Sequence, residues 1–512
     1  MLKDRNYIYI FSAFILLTLV YLISEYIITG RHFGVPLDDT WIHFRFAENF
    51  AKGYFFQYNI GEPVPGSTSP LWVIILSIPF LISSKIYLPA SYILGSFFFL
   101  LAIIEIYKLS LKIGLSKNYS LLVTLLTLLC GRLLWSSLSG MEITLFCYLT
   151  LLIVRKHLYE IEIEKVNIST GILLGLSIAV RPESYLFAFI YYVVTILLLR
   201  KSLKLNLRNI ILSLIIFIII ILPYPLFSYF TTGSFLPTTF KGKSGALRFI
   251  PSIEYLRETG KLFFKDNVFI LLLWITGMLS FIVSIFKKNI EKKYLLINLW
   301  IFLLPVISSF IAPNWLHHGR YLIPLIPFIN IVVIYIFVTG FGYFNNKAVK
   351  SIGLFKTIFV SLLILLTLFS TFTYAKKLSW NTENINDQQV EIANWVNKNI
   401  PDEKCLGVND AGAITFLTGK KIVDIEGLIT PEMLSVHEMK DTAAGDIKIL
   451  RYLKKENVNY LIIYREWYNR LVNDYHEYLE KVHSAYLNNN TICGEAEMIV
   501  YKIHWEKNPL KD

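Results

Sequence analysis

Eleven apolar runs, each close to the length that crosses a bilayer as a helix, fill the chain from residue 7 to residue 372. A transmembrane helix needs about 17–25 apolar residues. Charged residues make up only 17% of the chain and hydrophobic residues 55%, a balance with which a soluble fold could not cover its apolar surface. The sequence therefore predicts an α-helical polytopic membrane protein. The runs are Tyr7–Ile28, Pro89–Tyr107, Ser120–Trp135, Met141–Val154, Ile168–Val180, Tyr185–Leu199, Asn209–Phe230, Val268–Phe286, Tyr294–Ile311, Tyr321–Phe341 and Ile352–Phe372.

The first run has no small-residue cleavage site and predicts an anchor. The segment Ser69–Ser84 is apolar but short, and Pro79 interrupts it, so we expect a juxtamembrane helix that does not cross. With the N-terminus inside, every basic cluster between the runs then lies in the cytoplasm, where Lys and Arg accumulate. The net charge of +12 thus indicates how the chain is oriented in the membrane, and it does not point to a nucleic-acid partner. The clusters are Lys108/Lys112/Lys117, Arg155/Lys156/Lys165, Arg200/Lys201/Lys204/Arg208, Lys287/Lys288/Lys292/Lys293 and Lys347/Lys350/Lys356.

The composition becomes polar after the last run. Residues 375–512 alternate helical and strand-like patterns and predict a soluble α/β domain outside the cytoplasm, following a membrane domain over residues 1–374. A disulfide between Cys405 and Cys493 is an open alternative to two free thiols. The predicted helices are Gln388–Asn399, Gly445–Glu456 and Glu466–Ala485, and the predicted strands are Lys404–Asn409, Ile422–Ile425, Tyr460–Tyr464 and Met498–Trp505.

The first outer loop, residues 30–69, carries two adjacent carboxylates, Asp38 and Asp39. A partly desolvated carboxylate at a membrane boundary can act as a general base toward a hydroxyl group. One of the two could instead cap the helix that follows, an amphipathic stretch that could lie on the membrane surface through Trp41, Phe44, Phe46, Phe50 and Ala51. A divalent cation is a third alternative, but two neighbouring ligands support it weakly.

Further charged residues stand at the outer mouths of later helices. Glu142 opens a span, where it could contact substrate or simply complement the helix dipole. Arg181 and Glu183 flank Pro182 and could pair with each other, or Arg181 could bind a phosphate.

Two more basic segments lie on the same predicted face. Lys241 is a candidate for neutralising a phosphate, with a solvated basic loop as the alternative. His317 and His318 lack a further ligand at metal spacing, so phosphate binding together with Arg320 is the preferred interpretation. Arg132, inside an apolar run near the outer face, is a further candidate.

Six segments in order resemble the C-type superfamily of membrane glycosyltransferases (GT-C), especially bacterial terminal arabinofuranosyltransferases. More distantly they resemble protein mannosyltransferases and aminoarabinose transferases. Thr238 and Gly242 depart from the usual pattern, which has Asn and an aromatic-rich segment there. The segments are DDTWIHFRFAENFAKG, SGMEIT, RPES, LPTTFKGK, HHGRYLIP and DAGAITFLTGKKIVDIEGL.

The resemblance implies an inverting glycosyltransferase in the cytoplasmic membrane that uses a polyprenyl-phosphate-linked sugar, with its active site on the outer face. The acceptor would be a hydroxyl of an envelope glycan, lipid or protein. Asp38 would be the base, Asp39 would orient it or contact the sugar, and Arg181, Lys241 and Arg320 would stabilise the departing phosphate, so no metal or other cofactor is required. A transporter or lipid-linked-glycan flippase is the main alternative. The scarcity of ionisable residues within the runs favours the enzyme.

Overall fold

The computed structural model describes residues 4–243, 248–311, 317–345, 351–437 and 439–507. Lys347 and Lys350 of the last basic cluster lie outside these ranges, as does the start of the loop before His317. The chain divides into two compact units. One, the helical unit, comprises Met1–Ser24, Tyr92–Ile221 and Ala246–Lys376. The other, the mixed unit, comprises Glu25–Ser91, Leu222–Gly245 and Lys377–Asp512.

Helices account for most of the described chain. They are α1 (Asn6–Ile28), α2 (Asp38–Ala51), α3 (Pro70–Phe80), α4 (Tyr87–Ile113), α5 (Lys117–Leu128), α6 (Gly131–Ser137), α7 (Ile143–Glu162), α8 (Ser169–Val180), α9 (Ser184–Leu198), α10 (Leu203–Ile221), α11 (Pro223–Thr232), α12 (Thr238–Lys243), α13 (Ile253–Asp266), α14 (Val268–Phe286), α15 (Lys292–Ile311), α16 (Ile326–Asn345), α17 (Ser351–Ile385), α18 (Glu391–Asn399), α19 (Ala413–Thr418), α20 (Leu434–His437), α21 (Ala443–Lys455) and α22 (Asn469–Asp474).

Long apolar helices confirm the membrane character of the chain. Seven segments of the described chain are long and apolar enough to cross a bilayer, and the pair α5 and α6 makes an eighth if it counts as one span. The segment predicted not to cross contains only the 11-residue helix α3. The seven are Asn6–Ile28, Ser84–Ile113, Leu203–Thr232, Val268–Phe286, Lys292–Ile311, His317–Gly340 and Gly353–Asn399.

The eighth candidate is broken, since α5 and α6 meet at an angle of 62°. A break inside an apolar run leaves backbone carbonyls that need new donors. The Thr371 hydroxyl donates to the carbonyl of Leu129, and the Tyr21 hydroxyl lies 3.1 Å from the carbonyl of Gly131. Gly131 also tolerates no side chain, because a Cβ there would lie 2.7 Å from the Ser370 carbonyl oxygen.

The mixed unit contains a five-stranded sheet, which confirms the α/β prediction for the C-terminal region. Its strands are β1 (Leu406–Val408), β2 (Ile422–Asp424), β3 (Tyr460–Tyr464), β4 (Leu479–Tyr486) and β5 (Glu497–Ile503), in the order β2-β1-β3-β5-β4. β1 pairs in parallel with β2 and β3, whereas β5 runs antiparallel to β3 and β4. The carboxyl ends of the first three strands therefore share one edge.

One predicted helix of this region is wrong. The local pattern predicts a helix over residues 466–485, but only α22 and short 3₁₀ turns form there, and β4 begins at Leu479. β4 is an edge strand that pairs with β5 from Leu479 to Tyr486, with an irregularity between Lys481 and His483. That long-range pairing supplies its backbone hydrogen bonds, and it overrides a local pattern that suits a helix.

The core on one side of the sheet combines residues from both ends of the chain. Phe46 and Tyr58 of the first loop are fully buried there, and the Tyr58 hydroxyl donates to the carbonyl of Ala411. Asn59 bonds the backbone N–H and C=O of Ile422 at 3.1 and 2.9 Å and so covers the free edge of β2. This shared core consists of Ile42, Phe46, Tyr58, Val64 and Val73 together with Ile392, Val396, Leu406, Val408, Ile414, Ile422, Ile462, Met498 and Val500, among others.

Candidate functional site

Asp38 is the first residue of α2, and its side chain is 9% exposed. Its two carboxylate oxygens accept the backbone N–H groups of Gly412 and Ala413, each at 2.7 Å. Those N–H groups open α19, so Asp38 caps a helix of the C-terminal region and not the one to which it belongs. A Cβ at Gly412 would lie 2.2 Å from the Asp38 carbonyl oxygen, which explains the glycine at this position.

The Asp410 carboxyl faces Asp38 and hydrogen-bonds with it. Asp410 Oδ2 in turn accepts from the Tyr464 hydroxyl and from Gln389 Nε2, both at 3.0 Å. Burial, and secondly the negative charge of Asp410, hold the pKa of Asp38 well above its usual range, although the two backbone N–H groups oppose this shift. The turn Asp410–Gly412 thus supplies one member of a carboxyl pair and a backbone N–H to the other.

The aromatic residues of α2 do not lie on a membrane surface, so this sequence-based expectation is wrong. Trp41 and Phe44 are 4% and 0% exposed. Both pack against Phe416 of α19, at ring-centroid distances of 5.5 and 5.8 Å, and against Tyr87. The apolar face of α2 is thus buried by α19, whose first N–H groups bind Asp38.

Two other predicted site residues lie in the mixed unit. Asp39 follows Asp38 in α2 and is half-buried. Lys241 is exposed on the short helix α12. Thr238 fixes the start of that helix, since its hydroxyl donates to the carbonyl of Leu428 at 2.5 Å and its backbone N–H to the carbonyl of Pro65 at 3.2 Å.

In the helical unit, Arg181 forms a buried ion-pair cluster with two glutamates. Its Nη1 lies 2.7 Å from Glu142 Oε1, while its Nη2 and Nε lie 2.8 and 3.3 Å from the two oxygens of Glu183. Three of its roughly five N–H groups are therefore engaged. The guanidinium groups of Arg181 and Arg320 lie 5.1 and 5.3 Å from the ring centroid of Tyr321. The structure thus groups Glu142, Arg181, Glu183 and Arg320.

The residues before Arg320 form a tight left-handed turn. His317, His318 and Gly319 have φ values of 46°, 58° and 65°. The His318 ring packs edge-on against Trp135 and Tyr374, at 5.1 and 5.5 Å between centroids.

Arg132 supports this turn, and the sequence does not reveal this contact. Its Nη1 lies 3.4 Å from the His318 carbonyl oxygen, and its Nε lies 2.7 Å from Asp266 Oδ2. The Arg132 side chain is completely buried and stacks 4.6 Å from the Phe263 ring centroid. An arginine inside an apolar run signals such a partner, but the sequence does not say that the partner is Asp266.

The carboxyl pair and the arginine cluster belong to different units of the chain. Among the described residues, no group of three or more His, Cys, Asp and Glu side chains is arranged to hold a metal ion.

The chain matches known proteins mainly through its fold. A domain of unknown function, DUF8728, matches residues 383–501, and no curated protein matches the chain in sequence. ArnT from Cupriavidus metallidurans bound to undecaprenyl phosphate is 9% identical with a TM-score of 0.59, covering 95% of this chain and 97% of that one. The archaeal oligosaccharyltransferase AglB from Archaeoglobus fulgidus, in complex with an inhibitory peptide and a dolichol-phosphate, is 13% identical with a TM-score of 0.59, covering 99% and 75%.

The chain has the fold of the GT-C membrane glycosyltransferases. The GT-C architecture that the six sequence segments predict is thereby confirmed. Because the identities are this low, the similarity shows the GT-C fold and leaves the activity to be argued from the residues.

Proposed function

We propose that the protein is an inverting glycosyltransferase that moves a sugar from a polyprenyl-phosphate donor to a hydroxyl of an envelope glycan, lipid or protein. The observation that carries the proposal is the buried Asp38 carboxyl, whose environment raises its pKa and hence the basicity of its ionised form. The GT-C fold supports the donor class, because the similar ArnT and AglB structures contain undecaprenyl phosphate and dolichol-phosphate.

The reaction transfers one proton, and it replaces the bond from the anomeric carbon to the phosphate oxygen with a bond to the acceptor oxygen. The acceptor hydroxyl oxygen attacks the anomeric carbon while ionised Asp38 takes the hydroxyl proton. The bond between that carbon and the phosphate oxygen breaks, and the polyprenyl phosphate leaves with the bonding electrons. Asp39, one residue further along α2, orients Asp38 or contacts the sugar. Attack from the face opposite the phosphate inverts the anomeric centre.

The proposal gives the leaving phosphate cationic partners in place of a proton donor. Arg320 and Lys241 take this role, with His317 and His318 assisting Arg320. Arg181 contributes through its remaining N–H groups, while Glu142 and Glu183 hold its guanidinium plane in place. No step uses a metal ion.

We further propose the topology expected from the basic clusters. Eleven spans result when the broken pair and the helices α7, α8 and α9 join the seven long apolar segments. Residues 1–374 then form the transferase domain in the cytoplasmic membrane, and residues 375–512 lie outside the cytoplasm with the active site. Accessibility tags on intact cells test this arrangement. A tag between Lys287 and Lys293 reached from outside, with Lys3 inside, would contradict it.

Asp38→Asn in the purified protein tests the proposed reaction, with a panel of polyprenyl-phosphate sugars as donors. We expect wild type to transfer sugar from at least one donor and Asp38→Asn to lose about 10²-fold or more of that rate. Asp39→Asn is the matched control and should retain more activity. Undiminished transfer by Asp38→Asn would refute the base assignment. No transfer by wild type from any donor would contradict the enzymatic function and favour a transporter.

A further inference from the structure

We propose that Asp410 is the positioning residue for Asp38, and that the two carboxyls share a single proton. The inference rests on the proposed function, because it takes Asp38 as the base. It adds to that function a role for the C-terminal region in the chemistry.

Asp410 is held firmly by its neighbours. Its Oδ2 accepts from Tyr464 at the end of β3 and from Gln389 in the π-helical turn before α18, both at 3.0 Å. Gln389 Nε2 also lies 2.8 Å from the Tyr464 hydroxyl oxygen, so the three side chains form a closed set of hydrogen bonds. Asp410 therefore has one orientation.

One short segment holds Asp38 in two ways. Residues 410–413 offer Asp38 the Asp410 carboxyl and the N–H groups of Gly412 and Ala413. The two backbone hydrogen bonds tie Asp38 to the segment that carries Asp410. Asp38 is buried and Asp410 half-buried, and a hydrogen bond between two carboxyls needs one proton between them, because an ionised carboxylate only accepts.

The surroundings of the pair favour a single negative charge. The described groups that face it belong to the loop after α2, the end of β3 and the loop before β5. Arg45 acts on Tyr58, and after burial the strongest influence on Asp38 is the negative charge of Asp410. The titratable side chains facing Asp38 and Asp410 are Tyr58, Tyr464 and Cys493, with Arg45 and Asp424 facing Tyr58 in turn.

The shared proton has a mechanistic use. When the proton lies on Asp410, Asp38 is an ionised base that receives a hydrogen bond from its neighbour. After Asp38 takes the acceptor proton, the pair holds two protons and must release one to water before the next turnover. The balance thus needs no group beyond the acceptor hydroxyl and solvent.

An apolar carbodiimide tests the pair in the intact protein without any transfer assay, because it modifies only protonated carboxyls. Labelling of Asp38 and Asp410 is followed by mass spectrometry from pH 5 to 10. In wild type we expect labelling to persist well above the usual range of an aspartate. Asp410→Asn removes the neighbouring charge. The pH at which half of Asp38 is labelled should then fall by about one pH unit or more.

Tyr464→Phe provides a second variant, which acts on the position of Asp410. It removes the hydroxyl that donates to Asp410 Oδ2 at 3.0 Å, so Asp410 is held less firmly against Asp38, and the pH midpoint of Asp38 labelling should fall by less than in Asp410→Asn. Asp446→Asn, a buried aspartate paired with Arg470 in the same unit, is the matched control and should leave the midpoint unchanged. An unmoved midpoint in Asp410→Asn and Tyr464→Phe, or no labelling of either carboxyl in wild type, would overturn the inference. Failure of wild type to transfer any sugar, with the shifts intact, would overturn only the proposed function.

Discussion

The carboxylate of Asp38 accepts the backbone N–H of Gly412 at 2.7 Å, across 374 residues of sequence. The first loop and the turn after β1 are therefore one structural element, although they lie near opposite ends of the chain. The Asp38 side chain has no freedom of its own, because the backbone of the C-terminal region fixes both of its oxygens.

Gly412→Ala tests how closely the two segments must approach. The new Cβ would lie 2.2 Å from the Asp38 carbonyl oxygen and 2.4 Å from Oδ2, so the turn must move away. We expect a loss of about 1–3 kcal/mol in the free energy of unfolding and a loss of transfer activity. Thermal unfolding in detergent measures the first effect. Gly260→Ala in α13, where nothing lies within 4 Å of the new Cβ, is the control and should be neutral or slightly stabilising. Wild-type behaviour of Gly412→Ala would disprove the close approach.

The ion-pair cluster of Arg181 with Glu142 and Glu183 predicts that removing different charges will lower the stability by different amounts. Arg181→Met leaves Glu142 and Glu183 buried without their shared cation and should cost about 3–5 kcal/mol in unfolding free energy. Glu183→Gln should cost less, because Arg181 keeps Glu142. Thermal unfolding ranks the variants. The triple variant Glu142→Gln/Arg181→Met/Glu183→Gln should recover part of the loss; a triple variant no more stable than Arg181→Met would show that the charges are not coupled.

Asp424 predicts a pH dependence of local stability around β2. Burial raises the pKa of Asp424 to about 7, although the N–H groups of Ile429 and Glu426 bond its carboxylate and oppose the shift. The folded state thus binds the proton more tightly than the unfolded chain does. The resulting stabilisation is complete below about pH 4 and is lost as the pH rises through 7.

Hydrogen exchange of residues 422–430, corrected for the intrinsic rate, measures this effect. In wild type the free energy of local opening should fall by up to about 4 kcal/mol from pH 4 to pH 7. Asp424→Asn should remove this slope of opening free energy against pH. Asp402→Asn, whose side chain is 98% exposed, should keep the wild-type slope. A slope that survives in Asp424→Asn would assign the pH dependence to another group.

The cysteines predict a simple chemical result. All four are free in the structure, so the disulfide left open between Cys405 and Cys493 does not form. Alkylation of denatured protein without reductant should add four groups, where a disulfide would leave two, and Cys493→Ser should add three. Burial raises the pKa of Cys405 to about 11, so native protein should react slowly at this thiol at neutral pH. Intact mass spectrometry reads both results.

The sequence predicts what depends on local pattern. The apolar runs locate the helices, and the strand Tyr460–Tyr464 is found with its bounds. The bend between α5 and α6 escapes prediction because hydrogen bonds from Tyr21 and Thr371, far along the chain, make it possible. Asp38 and Arg181 stand out as candidates by residue type. Their partners Asp410 and Glu142 follow from tertiary contacts, which neither spacing nor periodicity reveals.

The core that Phe46 and Tyr58 share with the sheet constrains how the protein is made. A ribosome delivers residues 42–73 early, yet the strands that bury them come only after residue 392. The first loop must wait, with its aromatic residues uncovered, while the intervening helices are synthesised and inserted. Completion of this core is therefore a late event of biogenesis with a high loop-closure cost. Truncation before β1 leaves the loop without its cover, and quality-control proteases should recognise such chains.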